Sequence, residues 1–255
     1  MGSVYNRCSV VLWGLEMNEQ SSDNIQFYIS HTSPCPYLEG LEERKLFTYL
    51  GGHKAKFAFL LLSENGFRRS QKLIYRPSCE NCNECKSVRV RAAEFKPTKS
   101  QKRVNGKNSD IVSNMIMPIT NKEHFELFKK YLNARHKNGG MADMNEDEFK
   151  DMVEDTAVDT RLVEYRLKQS DKLIAVALVD ILENGISLVY SFFDPTYKDR
   201  SLGTFMILDN ILRAKKNILK YVYLGYWIKS SKNMNYKTAF LPVEEFCDSL
   251  GWIEK

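Results

Sequence analysis

The sequence lacks any long hydrophobic run, and its first residues lack the features of an export signal. No stretch reaches the roughly 18 consecutive apolar residues that a membrane-spanning helix needs. The N-terminus has no basic flank followed by an apolar stretch and a small-residue cleavage site. Because 43% of the 255 residues are hydrophobic, the chain can still form a sizeable core. We therefore expect a globular, cytoplasmic protein with no membrane contact.

Histidine is scarce, with 4 residues in the chain. They are His31, His53, His124 and His136. Their positions suggest no Ser-His-Asp or Cys-His arrangement, so covalent catalysis by an activated nucleophile is not expected. The chain also has only 6 cysteines. In a reducing compartment these are expected to be thiols or metal ligands rather than disulfides.

Cysteine is concentrated in the stretch SCENCNECKS, where Cys79, Cys82 and Cys85 recur at a constant spacing. Tetrahedral zinc and iron-sulfur clusters each need one more ligand than this stretch supplies. The spacing alone therefore leaves a metal site, a redox device and an unmetallated thiol cluster as alternatives.

A basic segment follows these cysteines directly. Its cations are Lys86, Arg89, Arg91, Lys96, Lys99, Lys102, Arg103 and Lys107. Glu94 is the only acid among them. A solvated surface explains many such runs. The alternative is contact with several phosphates of a nucleic acid, which gives an affinity that depends strongly on salt.

The first part of the chain divides into two segments. Residues 1–24 are expected to be an extension outside the fold, because a short apolar patch there is followed by a polar run. Either translation starts at Met17 or residues 1–16 are a disordered extension. Residues 25–107 are predicted to form an N-terminal cysteine-containing domain. Its short apolar runs at 57–62 and 73–75 lie among glycines and prolines, which suggests strands and turns around a small core.

Residues 108–255 are predicted to form a C-terminal domain of helices and antiparallel strands. Thr120 with Glu123, and Asn145 with Glu148, have the spacing of capping boxes at helix starts. The predicted helices span about 120–136, 145–155 and 201–216, and the predicted strands span 160–168, 172–182, 186–193 and 221–227. Three adjacent antiparallel strands followed by a turn, a helix and a strand are typical of the acetyltransferase type of acyl-transfer fold.

Four longer stretches are more specific. They are FYISHTSPCPYLEGLEERKLFTYLGG, NGFRRSQKLIYRPSCENCNECKSVRV, RHKNGGMADM, and LVYSFFDPTYKDRSLGTFMILDNI with YVYLGYWI. Together they resemble the aminoacyl-tRNA-protein transferases from about Phe27 to Trp252, and most closely the bacterial branch that transfers leucine to N-terminal aspartate or glutamate. The resemblance implies an α+β chain with a cysteine-bearing N-terminal domain and a GNAT-like C-terminal domain. It also implies a cytoplasmic, tRNA-dependent enzyme that marks proteins for degradation in the N-end rule pathway.

The implied reaction is attack of an α-amine on an activated ester. Such a reaction needs positioning, a proton acceptor and donors for the developing oxyanion, but no covalent intermediate. The candidate catalytic residues lie on the central strands and are Tyr190, Ser191, Asp194 and Asp180. Asp194 precedes Pro195 and is equally consistent with a turn.

Two further groups of candidates bind the substrates. For charged tRNA they are Arg200, Ser201, Gly203, Tyr226, Trp227, Arg89, Arg91, Lys102 and Arg103. For the acidic first side chain of the acceptor protein they are Arg68, Arg69 and Ser70, because a guanidinium can bind a carboxylate through two hydrogen bonds. A structural ion pair or a tRNA contact is the alternative role of the arginines. His136 belongs to the RHKNGG motif, as a helix cap or a ligand.

The resemblance also implies a fourth thiolate, because Cys35 groups with Cys79, Cys82 and Cys85. The four are expected to hold a structural zinc ion or an iron-sulfur cluster, with no cofactor required for the chemistry itself. An unmetallated thiol cluster is the alternative. The oligomeric state does not follow from the sequence.

Three alternative functions stay open at this stage. The first is transfer of arginine, as in the eukaryotic relatives. An acetyl-CoA-dependent N-acetyltransferase would explain the turn and helix at 198–216 but not the cysteines or the basic segment. A non-enzymatic zinc-dependent RNA-binding protein would explain those two features but not FRRS or VYSFFDP.

The assignment of Cys35 as the fourth ligand predicts that Cys35→Ser lowers the bound metal. Metal content of the purified protein, measured by elemental analysis, checks this. Full retention of the metal in Cys35→Ser would remove Cys35 as a ligand.

Overall fold

The computed structural model describes residues 25–135, 139, 141–231 and 233–255. The predicted extension at 1–24, with Met17, and the motif residue His136 lie outside them. The described strands are β1 Tyr28–Ile29, β2 Ser33–Pro34, β3 Glu42–Glu43, β4 Lys45–Tyr49, β5 Arg68–Ser70, β6 Leu73–Pro77, β7 Lys86–Arg91, β8 Ile111–Ile116, β9 Thr160–Leu167, β10 Leu173–Leu182, β11 Gly185–Phe193, β12 Tyr221–Trp227, β13 Val243–Cys247 and β14 Gly251–Glu254. The described helices are α1 Ala55–Glu64, α2 Lys99–Lys107, α3 Lys122–Arg135, α4 Glu146–Glu154 and α5 Leu202–Lys216.

An 8-stranded sheet in the order β14-β13-β7-β12-β11-β10-β9-β8 forms the centre of the fold. Strands β9, β10 and β11 are antiparallel neighbours, as the sequence predicted. The chain then passes through α5 and returns as β12, which is parallel to β11. This arrangement confirms the predicted α+β class and the GNAT-like order of elements in the C-terminal half.

Helices cover both faces of the large sheet, and β10 is buried on both of its sides. Ala175, Ala177 and Val179 pack in the same cluster as the buried face of α5. Val176 and Leu178 point the other way and pack in the cluster that contains α3 and α4. Side chains alternate between the faces of a strand, so a strand covered on both faces is a nearly continuous apolar run.

The helix starts follow the predicted capping only in part. At α4, the Asn145 side chain accepts from Glu148 N and the Glu148 side chain accepts from Asn145 N, which confirms the capping box. At α3 the prediction was wrong by one residue, because the Asn121 side chain accepts from His124 N at 3.0 Å and His124 Nδ1 accepts from Asn121 N at 3.2 Å. Thr120 Oγ1 instead donates to Glu154 at 2.7 Å, which ties α3 to α4.

A smaller, 4-stranded sheet in the order β1-β4-β6-β5 lies before β7. The apolar run at 57–62, predicted as a strand, belongs to helix α1. Phe59 and Leu62, one helical turn apart, are both buried in this sheet's core. A short apolar run without strict alternation fits either element, and the helical spacing of its buried residues decides for α1.

The change from the small to the large sheet does not coincide with the predicted domain boundary at residue 107. Strand β7, predicted within the N-terminal domain, pairs with β12 on one side and β13 on the other. The cysteine segment at 79–85 therefore leads directly from the small sheet into the large one. None of the helices in the described ranges is long and apolar enough to cross a membrane.

A buried ion pair joins the two sheets. Arg69 on β5 donates from Nε to Asp180 Oδ2 at 2.6 Å and from Nη2 to Asp180 Oδ1 at 2.7 Å. Thr160 Oγ1 donates to the same carboxylate at 2.7 Å. The side chains of Arg69 and Asp180 are 1% and 0% exposed. This geometry corrects two assignments, because Arg69 and Asp180 bind each other and neither is available to substrate.

Asp180→Asn is expected to destabilise the protein by about 3–5 kcal/mol, because it leaves the Arg69 guanidinium buried without a countercharge. Urea titration of the variant measures the change in the free energy of unfolding. Glu126→Gln is the matched control, since the Glu126 side chain is 65% exposed and such sites usually change stability by less than about 0.5 kcal/mol.

The double variant Arg69→Met with Asp180→Leu distinguishes the stability effect of removing the whole ion pair from that of removing one charge. Replacing both charges by apolar groups is expected to recover most of the stability. A destabilisation by Asp180→Asn no larger than that of the control would contradict a sheet-joining role for the pair.

Candidate active site

The large sheet opens between β11 and β12. The two strands pair in parallel only from Gly185 with Tyr221 to Ser187 with Tyr223. Beyond this point each strand has a bulge against its other neighbour, at Val189 in β11 and at Leu224 in β12. Bulges bend a strand and often lie beside functional sites. We call the gap between 188–193 and 224–227 the strand opening.

Arg68 of β5 reaches into the strand opening. Its Nη1 donates to Ser187 Oγ at 3.1 Å, and its Nη2 donates to the Leu188 carbonyl oxygen. Burial lowers the pKa of the guanidinium, but arginine stays charged in proteins. Arg68 thus places a positive charge where the two strands separate.

The absence of a side chain at residue 225 gives Arg68 its space. Gly225 has a φ of +82°, a region that residues with a side chain rarely adopt. A Cβ at this position would lie 2.8 Å from Arg68 Nε. Glycine is therefore required both by the backbone and by the close approach of the guanidinium.

Lys237 faces the same opening from the short 3₁₀ helix Asn235–Ala239. Its Nζ donates to the Tyr226 carbonyl oxygen at 2.7 Å. Burial first, and the nearby charge of Arg68 second, lower the pKa of Lys237 to about 7. Sequence reasoning missed this residue, and its position in a polar, irregular stretch gives no signal that would have found it.

The catalytic candidates of β11 have three different environments. Ser191 is exposed. Tyr190 is partly buried, with its ring packed against Phe128, and burial raises its pKa, so the phenol keeps its proton at neutral pH. Asp194 is 2% exposed and accepts from Lys130, so it is not a free base.

Asp194 also caps the 3₁₀ helix Pro195–Arg200. Its side chain accepts from Thr196 N at 3.0 Å and from Thr196 Oγ1 at 2.7 Å. Burial raises the pKa of this carboxyl, but the hydrogen bonds from Lys130 and Thr196 outweigh burial and lower it. The turn-forming role that the sequence left open for Asp194 is the one the structure favours.

The turn that carries the tRNA candidates Arg200, Ser201 and Gly203 lies at the start of α5. Ser201 is exposed, adopts a left-handed conformation and makes no side-chain cap, and Gly203 follows in the first helical turn. Arg200 binds Asp110 through Nη1 at 2.6 Å and Nη2 at 3.0 Å, which raises its pKa and lowers that of Asp110. Arg200 therefore orients the turn through a carboxylate, next to a helix start that has no side-chain cap.

Helix α2 carries part of the basic segment next to this turn. Lys107 Nζ donates to the Asp199 carbonyl oxygen at 3.3 Å, and Arg200 Nη1 donates to the Lys107 carbonyl oxygen at 3.3 Å. We define the α2 basic face by its exposed cations and glycine, which line one shallow surface depression. They are Lys99, Lys102, Arg103, Gly106 and Lys107.

Two other arginines of the basic segment have structural partners. Arg89 is 6% exposed and lies between the rings of Tyr221 and Trp252, with its guanidinium carbon 3.6 and 4.1 Å from their centroids. Its Nε also donates to Glu244 at 2.6 Å. Arg91 is surrounded by acids, namely Glu94, Glu244 and Glu254. Both predictions of tRNA contact are corrected, because these cations are already neutralised.

The aromatic candidates of β12 also differ from the prediction. Tyr226 is 7% exposed, and its hydroxyl donates to the carbonyl oxygens of Tyr75 at 2.9 Å and Gly66 at 3.3 Å. It is a core residue and offers no face to a base. Trp227 donates from Nε1 to the Asn235 carbonyl oxygen at 3.1 Å, and the Lys255 ammonium lies 3.9 Å from its ring centroid.

The acceptor candidate Ser70 is exposed at the end of β5, one residue after Arg69 of the buried ion pair.

The four candidate metal ligands lie around one cavity. Cys35, Cys79, Cys82 and Cys85 all line a space of about 60 Å³. Burial, followed by the other three thiols, raises the pKa of Cys85 to about 12. In the described part of the chain, no group of three or more His, Cys, Asp or Glu side chains is arranged so that it could hold a metal ion as it stands. The donor set suits zinc or an iron-sulfur cluster, and its thiols must lose protons on binding.

Comparison with known proteins agrees with this architecture. The family model described as arginine-tRNA-protein transferase, N terminus, matches residues 33–103, and that described as its C terminus matches residues 123–247. A protein of Afipia carboxidovorans named aspartate/glutamate leucyltransferase is 50% identical over 242 residues, 93% of this chain and 96% of its own. The chain belongs to the arginine-tRNA-protein transferase family.

Other relatives and solved structures extend this comparison. A Bradyrhizobium protein, also named aspartate/glutamate leucyltransferase, is 49% identical over 245 residues, 93% of this transferase and 95% of its own chain. The structure of L-PGS from Bacillus licheniformis covers 82% of this chain and 71% of its own, at 9% identity and a TM-score of 0.47.

The α2 basic face predicts a salt-dependent contribution to tRNA binding. Replacing Lys102 and Arg103 together by Gln is expected to weaken tRNA affinity and to reduce the slope of log affinity against log salt by about 2. Filter binding or anisotropy at several salt concentrations measures this slope. Lys215→Gln with Lys216→Gln, at the far end of α5, is the matched control, and equal slopes in both double variants would contradict the assignment.

Proposed function

We propose that this protein transfers leucine from leucyl-tRNA to the α-amino group of proteins that begin with aspartate or glutamate. The product would carry a new N-terminal residue that marks it for degradation in the cytoplasm. The observation that carries the proposal is the match over 93% of the chain to relatives named for this activity. Arg68, a charge placed where the central strands separate, supports it from the structure.

The reaction needs no cofactor to balance. The neutral α-amine, whose ordinary pKa is about 8, attacks the ester carbonyl carbon of leucyl-tRNA. A C–N bond forms, the C–O bond to the terminal ribose breaks, and the proton lost by nitrogen is taken up by the leaving ribose oxygen, directly or through water. The enzyme supplies positioning and charge stabilisation.

The two substrates approach the strand opening from different sides in this proposal. The tRNA backbone lies along the α2 basic face and the start of α5, where exposed cations and open helix N–H groups attract phosphate. The acidic side chain of the acceptor binds Arg68, which matches the planar fork of a carboxylate. The ester and the amine then meet beside β11.

Tyr190 and Ser191 are the proposed polar groups nearest the reaction. Because its pKa is raised by burial, Tyr190 would act as a neutral hydrogen-bond donor to the developing oxyanion rather than as a base. The exposed Ser191 would pass the amine proton towards the leaving oxygen. Asp194, with its lowered pKa and its cap to Thr196, is not proposed as the base.

The cysteine cluster is proposed to have a structural role. Cys35, Cys79, Cys82 and Cys85 would hold one zinc ion or iron-sulfur cluster and so clamp the loop at 35 to the segment that leads into β7. When bound, the metal supplies a cross-link between these segments. No step of the transfer depends on it.

The decisive assay offers leucyl-, phenylalanyl- and arginyl-tRNA to peptides that begin with Asp, Glu, Lys or Ala. The proposal predicts gain of one leucine on the Asp and Glu peptides only, seen by mass spectrometry and dependent on charged tRNA. Transfer of arginine alone would replace leucine by arginine in the proposal, and modification by acetyl-CoA without tRNA would overturn it.

Within this assay, Arg68→Ala is expected to lower kcat/KM for Asp and Glu peptides about 10- to 100-fold, the usual worth of a charge-assisted hydrogen bond. Arg161→Ala is the matched control, because Arg161 lies on β9 and pairs with Asp159. Unchanged peptide kinetics for Arg68→Ala would remove Arg68 from acceptor binding.

A further inference from the structure

Two cations from different parts of the chain converge on the strand opening. Arg68 comes from β5 and binds the β11 side, through Ser187 Oγ and the Leu188 carbonyl oxygen. Lys237 comes from the 3₁₀ helix Asn235–Ala239 and binds the β12 side, through the Tyr226 carbonyl oxygen at 2.7 Å. Arg68 also lies against Gly225 of β12, so both side chains are held by the strands that border the opening.

Among the residues that the structure describes, neither cation has a hydrogen-bonded carboxylate. Burial lowers the pKa of Arg68, and the charge of Asp180 acts on it from nearby in the opposite direction. The polar contacts of Arg68 are a hydroxyl and a carbonyl oxygen, and the contact of Lys237 is a carbonyl oxygen. The neighbouring arginine shows the contrast, because Arg69 is matched by Asp180 through two short hydrogen bonds. Since ammonium and guanidinium groups carry several N–H donors each, both cations keep donors for a further acceptor.

Placing two like charges close together in a buried gap is unfavourable without an anion. Burial is the largest cause of the lowered pKa of Lys237 and the charge of Arg68 is the second, whereas Cys85 acts in the opposite direction. Gly225 shows that the position of Arg68 against β12 is built into the backbone, because any Cβ there would meet Arg68 Nε at 2.8 Å. The fold thus maintains a cationic gap that one bound anion would stabilise.

We propose that Arg68 and Lys237 together form a two-cation receptor for a single carboxylate, the side chain of the acceptor's N-terminal Asp or Glu. This inference rests on the proposed function and adds Lys237 as the second specificity-determining residue. A carboxylate fits better than a tRNA phosphate, because the exposed cations that suit a backbone lie on the α2 basic face. Arg68 supplies the planar fork, and Lys237 supplies a point charge from the side of β12.

The test compares Lys237→Gln and Lys237→Arg with wild type in leucyl transfer. Glutamine keeps a donor for the Tyr226 carbonyl oxygen and removes the charge, whereas arginine keeps the charge. Four peptides that begin with Asp, Asn, Glu and Gln, otherwise identical, report the selectivity for charge. Lys229→Gln is the matched control, because Lys229 is exposed just after β12.

For Lys237→Gln, the ratio of kcat/KM between Asp and Asn peptides, and between Glu and Gln peptides, is expected to fall about 10- to 100-fold. The fall should appear mainly in the KM of the acidic peptides, while the KM of leucyl-tRNA stays unchanged. Lys237→Arg should keep most of the selectivity. If Lys237 had a structural role alone, the substitution would lower kcat/KM equally for all four peptides.

Three outcomes overturn the inference. The first is an unchanged selectivity ratio in Lys237→Gln. The second is an equal loss of kcat/KM for acidic and amide peptides when Lys237→Gln keeps wild-type thermal stability. The third is a raised KM for leucyl-tRNA in Lys237→Gln. Failure of the wild-type protein to modify any Asp or Glu peptide is a different result, since it refutes the proposed function before Lys237 is considered.

Discussion

The buried ion pair between Arg69 and Asp180 is the constraint on which the arrangement of the two sheets depends. It ties β5 of the small sheet to β10 of the large one, with both side chains withdrawn from solvent. Successive side chains of a strand point in different directions. Because Arg69 is fixed in this way, its neighbour Arg68 is carried to the point where β11 and β12 separate. Arg69 thus joins the two sheets, and Arg68 supplies a positive charge to the candidate active site.

Several independent features of the chain meet at the strand opening. Two bulges, at Val189 and Leu224, mark where the strands diverge, and Gly225 leaves room for a guanidinium. Charges inside such a gap act through a lower dielectric than water, so each contact to a substrate carboxylate is stronger than it would be at the surface. The α2 basic face lies beside the start of α5, which gives phosphate-bearing and carboxylate-bearing substrates separate places to bind.

Much of the C-terminal half could be predicted from the sequence, because its signals are local. Alternation and helical spacing predicted β9 to β12 and α3 to α5 nearly as the structure has them. The predictions that failed concern residues whose partners lie far away in the chain. The acids that neutralise Arg89 and Arg91 include Glu244 and Glu254, about 150 residues later, and no pattern within the basic segment reveals them. Lys237 became a candidate only when the fold placed it opposite Arg68.

The most direct test of the account is a crystal structure of the protein with a stable leucyl-adenosine analogue and a peptide that begins with aspartate. The account predicts the aspartate carboxylate between Arg68 and Lys237, with the peptide's α-amine facing the leucyl carbonyl carbon in the strand opening. A carboxylate bound elsewhere, with the strand opening empty, would contradict it.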